Sequence, residues 1–263
     1  MKLRALLALV FAAVSAIPGA AQLAAPNDAG VTMGHVHLYV HDVDANRRFL
    51  IVLGGKAVQN GAFHAIQFPG VYVLLDKGEP TGGTVGTVIN HIGFQVRSMQ
   101  ESLARWQGAG LAIEPGNRPT QVYLTMPDAI RVEILEDTSL KAPLVFHHVH
   151  YYVSDVAAMQ AWYAKNFGAI PGKRAQFDAA DIPGANLTFQ KADMAQTPTQ
   201  GAALDHIGFE VKNLEAFTKK LTAAGVKFDK PYRKLPDSNA AAAFLTDPSG
   251  TTIELTEGLV PAN

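Results

Sequence analysis

The chain has 263 residues, 22 basic and 23 acidic, a formal net charge of −1, and no cysteine. Near-neutral charge offers no basic face for nucleic acid, and that class of partner is excluded. Without cysteine there are no disulfides to hold an exported chain and no thiolates to bind metal, so any metal site must use imidazole and carboxylate.

In chain order, residues 1–21 read as an export signal: Lys2 and Arg4, then the apolar run Leu6 to Ala16, then Gly19-Ala20-Ala21 for a signal peptidase. The run is too short for a stable membrane span. Cleavage after Ala21 predicts a periplasmic or secreted protein that starts at Gln22. His35 to Val40 alternates and is rich in β-branched and aromatic residues, which predicts a strand. Asp42 or Asp44 can cap the helix that follows, with Phe49, Leu50 and Leu53 as its apolar stripe and Gly54 at its end. Val71 to Leu75 and His91 to Val96 read as strands, and Ser98-Met99-Gln100-Glu101 is a capping box before a helix with Leu103 and Trp106. Gln121 to Thr125 and Ile130 to Leu135 form a hairpin around Pro127-Asp128. The order then returns: a strand from His148, a helix with Trp162 and Tyr163 ending at Gly168, a strand over Ala185 to Gln190, a strand from His206, a helix capped by Asn213, and a hairpin around Pro248-Ser249-Gly250.

The return is literal. HVHLYVHDV from His35 reappears as HVHYYVSDV from His148, and HIGFQV from His91 reappears as HIGFEV from His206. Such self-similarity marks an internal duplication, with the joint near Asp137 to Pro143. Six of the nine histidines fall at repeated positions: His35, His37, His91, His148, His150 and His206. Histidines kept at matching places in both halves point to one metal site per half.

These motifs, with the Asp-led helix, the closing segment Asp247-Pro248-Ser249-Gly250-Thr251-Thr252-Ile253-Glu254 and its drifted copy Met126 to Glu133, resemble the vicinal oxygen chelate (VOC) superfamily. It includes glyoxalase I, extradiol ring-cleaving dioxygenases, fosfomycin-modifying enzymes and bleomycin-resistance proteins. The resemblance implies an α+β fold of tandem βαβββ modules forming two open cup-shaped domains, residues 31–138 and 144–258. Their modules run about 33–78, 89–137, 146–192 and 204–257. It also implies ligand sets His35, His91 and Glu133 in the first half, and His148, His206 and Glu254 in the second.

Two imidazoles and one carboxylate on strands can occupy one face of an octahedron and leave the other open. The implied cofactor is a divalent metal: Fe(II) first, with Mn(II), Zn(II) or Ni(II) open. On an ideal strand His37 and His150 lie on the same side as His35 and His148, so each is a candidate proton handler or substrate contact. Tyr39, Tyr152 and Arg131 share that parity. Tyr123 stands where ring-cleaving dioxygenases carry an active-site tyrosine, and an ordinary strand aromatic is the alternative. The fourth metal-binding acid or amide of glyoxalase-type enzymes has Leu74 and Thr188 at its matching positions. That departure favours dioxygenase-like chemistry on a small substrate with vicinal oxygens. A glyoxalase-type lyase or epimerase, or a non-catalytic small-molecule binding protein, remains the alternative, and the chain is expected to be a monomer or homodimer.

Overall fold

The structure is a computed structural model that describes residues 23–60, 63–236 and 239–259; the segment read as an export signal lies outside them. Four βαβββ modules follow one another. The first is β1 (Val31–Val40), α1 (Val43–Leu53), β2 (Lys56–Asn60), β3 (Phe63–Phe68) and β4 (Val71–Lys77). The second is β5 (Ile89–Val96), α2 (Met99–Gly108), β6 (Ile113–Pro115), β7 (Gln121–Met126) and β8 (Ile130–Glu136). The third is β9 (Leu144–Val153), α3 (Val156–Phe167), β10 (Ile170–Arg174), β11 (Phe177–Ile182) and β12 (Ala185–Lys191). The fourth is β13 (Leu204–Val211), α4 (Leu214–Ala223), β14 (Lys230–Lys234), β15 (Ala241–Thr246) and β16 (Thr252–Glu257).

Each helix begins where a side chain accepts from a free backbone N–H: Asp42 from Ala45, Ser98 from Glu101, Asp155 from Ala158 and Asn213 from Ala216. Helix α3 stops at Gly168, whose φ of 66° is the left-handed cap that glycine adopts without strain. The apolar helix faces supply Trp106, Tyr163, Phe167 and Phe217 to the core. Asp247 is buried there as well, and its carboxylate accepts from Tyr163 Oη at 2.8 Å and from the Ser249 and Thr251 amides.

The modules form two eight-stranded mixed sheets, in the orders β14-β15-β16-β13-β1-β4-β3-β2 and β10-β11-β12-β9-β5-β8-β7-β6. The first sheet therefore joins the first and fourth modules, and the second joins the second and third. The expected division into one cup from 31–138 and another from 144–258 is corrected by this order. The reason is local. The second and third modules are linked by the short segment 137–143, and β5 pairs antiparallel with β9 along its length. This leaves β1 to pair with β13. The two sheets meet through aromatic packing, with Phe94 of the second sheet against Phe68 of the first at 4.9 Å. Among the described residues no helix is long and apolar enough to cross a membrane.

Candidate metal centres

The exchange of partners decides which histidines meet. In the first sheet, β1 and β13 run antiparallel with His37 opposite His206 and His35 opposite Gly208. Strand β16 runs parallel to β13 with Glu254 opposite Gly208. The second sheet repeats this register: His91 opposite His150, Gly93 opposite His148, and Glu133 opposite Gly93. Hence the glycine of each His-Ile-Gly-Phe segment. A Cβ at Gly208 would lie 1.9 Å from His35 Cε1, and one at Gly93 would lie 1.9 Å from His148 Cε1. Only a residue without a side chain leaves room for the imidazole to lie over the strand.

Two four-residue clusters result, His35, His37, His206 and Glu254 in one cup, and His91, Glu133, His148 and His150 in the other. Within each cluster the donor atoms lie within 4.8 Å of one another. All six residues expected as ligands are thus present, but in other company. His35 does not share a site with His91 and Glu133, and His148 does not share one with His206 and Glu254. The matching spacings could not reveal this, because His91 and His206 are equivalent residues and either satisfies the count.

The donors fit a divalent metal. Glu254 Oε2 lies 2.9 Å from His35 Nε2 and 3.2 Å from His206 Nε2. Glu133 Oε2 lies 2.8 Å from His148 Nε2 and 3.3 Å from His91 Nε2. Adjacent donors of an octahedron with bonds of about 2.1 Å are about 3 Å apart, which these distances match. His148 Nε2 is buried without a hydrogen-bond partner despite its nearness to Glu133, as expected of a lone pair aimed at an ion and not at a proton acceptor.

Burial alone would raise both carboxylic acids, yet the imidazoles packed against them outweigh it. Glu254 is held well below the usual carboxylate range by His206 and His35, and Glu133 by His148 and His91. Burial lowers His35, His91 and His148, which keeps their rings neutral and able to ligate. His206 is the exception. Burial lowers it, but Asp205 and then Glu254 more than compensate, and it is raised.

Asp205 Oδ1 takes the His206 Nδ1 proton at 2.6 Å, and Asn90 Oδ1 takes that of His91 at 2.9 Å. Both contacts fix the tautomer that presents Nε2 to the site. The other carboxylate oxygen in the second cup, Glu133 Oε1, is held by Gln121 and by Tyr123 Oη at 3.3 Å. Tyr123 therefore touches a ligand, with the Arg131 guanidinium 3.8 Å above its ring. Burial, then the Glu133 charge, pushes the Tyr123 hydroxyl up to about 12. In the first cup Phe244 takes its place, with its ring 5.6 Å from His206.

His37 and His150 lie inward as their parity predicts, but they differ chemically. His37 Nε2 lies 3.2 Å from Asp76 Oδ2, which puts the proton on Nε2 and leaves the buried, unpartnered Nδ1 as an acceptor. His150 Nδ1 lies 3.2 Å from Arg174 Nη2, which has only protons to give. The proton of His150 is thus on Nε2, buried and unpartnered, and burial lowers the ring to about 3. The His37 side opens into a cavity of about 380 Å³ lined by His37, Tyr39, Asp76, Asp205 and His206. Leu74 and Thr188 stand opposite His37 and His150 in the parallel register. Leu74 has no donor, and the Thr188 hydroxyl is already engaged with Arg174 and Asn186.

The sequence reading missed Asp76, Asp205, Gln121 and Arg174. Asp205 and Asn90 were within reach, since each immediately precedes a repeated histidine. His147 brings its Nδ1 to 2.9 Å from that of His148.

Residues 145–255 match the family model of the Glyoxalase/Bleomycin resistance protein/Dioxygenase superfamily. Glyoxalase I from Zea mays superposes with a TM-score of 0.70 at 16% identity, over 86% of this chain and 92% of that one. A proposed dioxygenase from Bacillus subtilis superposes with a TM-score of 0.63 at 15% identity, over 86% of this chain and 85% of that one. At such identities the likeness is one of fold. No curated protein matches the sequence.

Proposed function

From the premise that this chain is a member of the glyoxalase/bleomycin resistance protein/dioxygenase superfamily, we propose that it is an exported metalloenzyme acting on a small molecule that chelates its metal through two neighbouring oxygens. The observation that carries this reading is the pair of His/Glu clusters, each with donors within 4.8 Å of one another. A bleomycin-type binding protein has no use for such a set. His35, His206 and Glu254 would hold the ion in one cup, and His91, His148 and Glu133 in the other. When bound, a divalent metal supplies Lewis acidity at the substrate oxygens, and Fe(II) supplies oxygen chemistry as well.

The chain's own residues supply the proton handling. With its Nε2–H given to Asp76, His37 can accept a substrate hydroxyl proton at Nδ1. His150, neutral and protonated on Nε2, can donate to a developing oxyanion. Leu74 and the engaged Thr188 leave each cup three metal ligands and an inward imidazole, a set suited to dioxygenase-like chemistry. The lyase or epimerase reading keeps one argument: Asp76 brings a carboxylate beside His37, two residues beyond Leu74.

Anaerobic loading with Fe(II), followed by oxygen uptake against a panel of catechols and other vicinal-oxygen compounds, tests the choice. Oxygen consumption coupled to substrate loss supports the dioxygenase. Turnover without oxygen, with Zn(II) or Ni(II) on a thiol adduct of an α-ketoaldehyde, overturns it in favour of the lyase. For export, a periplasmic fraction should yield protein whose intact mass lacks residues 1–21.

A further inference from the structure

The two cups share a ligand set but differ in the charge around it. Beside Glu254 stand two further carboxylates, Asp205 at 2.6 Å from His206 and Asp76 at 3.2 Å from His37. Beside Glu133 the Asp205 position is Asn90, a neutral amide. Instead the second cup holds an arginine. Arg174 ends β10 with its side chain 15% exposed. Its Nε donates to Thr188 Oγ1 at 2.7 Å, its Nη2 to His150 Nδ1 at 3.2 Å, and Nη2 stands 3.7 Å from Glu133 Oε2. A second guanidinium, that of Arg131, lies on the ring of Tyr123, whose hydroxyl contacts the same carboxylate.

These contacts fix the Arg174 charge in place. An ion ligated by Glu133 would sit a few ångströms from it, with little water between, because Glu133, His91 and His148 are all buried. Repulsion between such neighbours is strong where solvent cannot screen it. In the first cup the same ion would meet attraction from the part-buried Asp205 and, more weakly, from Asp76, whose exposed carboxylate is screened by water.

We propose that Arg174 is the resident cation of the Glu133 cup, so that divalent metal fills the Glu254 cup first and binds the Glu133 cup at least about tenfold more weakly. The inference rests on the metal-binding reading above and adds that the cups are unequal and why.

The test is titration of the full-length mature protein with Mn(II), followed by the paramagnetic signal of the free ion. One tight equivalent and a second, weaker one are expected. Glu254→Gln should abolish the tight site and Glu133→Gln should spare it. Arg174→Gln should tighten the weak site about tenfold or more, and Arg174→Lys, which keeps the charge, should tighten it less. Circular dichroism and Tm check that each variant folds. The Glu254 and Glu133 variants leave Arg174 untouched, so they decide the order of filling even where Arg174→Gln fails to fold. Two equal sites, a tight site that depends on Glu133, or a weak site indifferent to Arg174→Gln would each overturn the proposal and leave the metal reading standing. Absence of Mn(II) binding at both cups would overturn the proposal and the metal reading together.

Discussion

The cup around Glu254 and the cup around Glu133 repeat one register of strands and one set of ligands, yet their surroundings have diverged. In the first, carboxylates back the histidines, and His37 is left with an acceptor nitrogen. In the second, an amide, a tyrosine, a glutamine and an arginine surround the site, and His150 is left with a donor. A duplicated fold preserves what the strands position, the ligands and the glycines that make room for them. It leaves free the neighbours that set charge and tautomer. The donor set therefore marks a candidate metal site, and the neighbours give each site its character.

The comparison breaks most sharply at the ligands. Losing one of three donors removes a large share of the binding free energy. Glu254→Gln should weaken metal binding in its cup on the order of a thousandfold while the other cup is unchanged, as read by metal analysis after dialysis. Gly208→Ala should do similar damage without touching a ligand, because its methyl displaces His35. Retained affinity in Gly208→Ala would show that the ring does not need that space.

A second difference shows in metal-free protein as pH falls. His150 is lowered to about 3 in the folded state, so the unfolded chain takes up its proton first, near pH 6.5. A depressed imidazole contributes stability that is present above about 6.5 and is lost progressively as the pH falls toward 3. His148 and His91, also lowered, act in the same sense, as does His35 alone in the Glu254 cup. His206 acts oppositely, since it is raised: its contribution is full below about 6.5 and is lost as the pH rises through its folded value. Acid should therefore loosen the Glu133 cup first. His150→Gln should flatten the acid limb of stability against pH by up to about 4 kcal/mol, measured by chemical denaturation. An unchanged acid limb would contradict the assignment.

The backing residues give a smaller effect. Asp205→Asn should cost the Glu254 cup about 10- to 100-fold in metal affinity. Asn90→Asp should strengthen the Glu133 cup in the opposite sense, and calorimetric titration reads both. The smallest effect lies in the closing hairpins. Gly250 has a φ of 101°, a backbone region open to glycine, whereas its counterpart Ala129 is held at 55° and its neighbour Asp128 at 62°. Asp128 is kept there by contacts of its carboxylate with His41 and Asn46. Ala129→Gly should relieve strain and raise stability by about 0.5–1 kcal/mol, seen in Tm.

Much of this was legible in the chain. The strand through His35 to Val40 (which the structure begins earlier, at Val31), the Asp42 and Asn213 caps and the hairpins around Pro127 and Pro248 follow from alternation, capping chemistry and turn residues. The ligand types were legible from the duplication. The pairing of modules was not. Equivalent repeats give equal spacing to either partner, and only the antiparallel match of β5 with β9 across a short linker decides it. Arg174 was hidden for a related reason. It ends an exposed edge strand whose sequence, Ile170 to Arg174, has no alternation and no repeat partner of like chemistry. Asp76 and Gln121 act through contacts between strands, which a linear reading does not display.

The central claim is that each metal centre draws its ligands from both halves of the chain. Anomalous diffraction from crystals grown with Mn(II) tests it most directly. The predicted result is a peak bonded by His35, His206 and Glu254, with any weaker second peak bonded by His91, His148 and Glu133. A peak bonded by His148, His206 and Glu254, all from the second half, would contradict it.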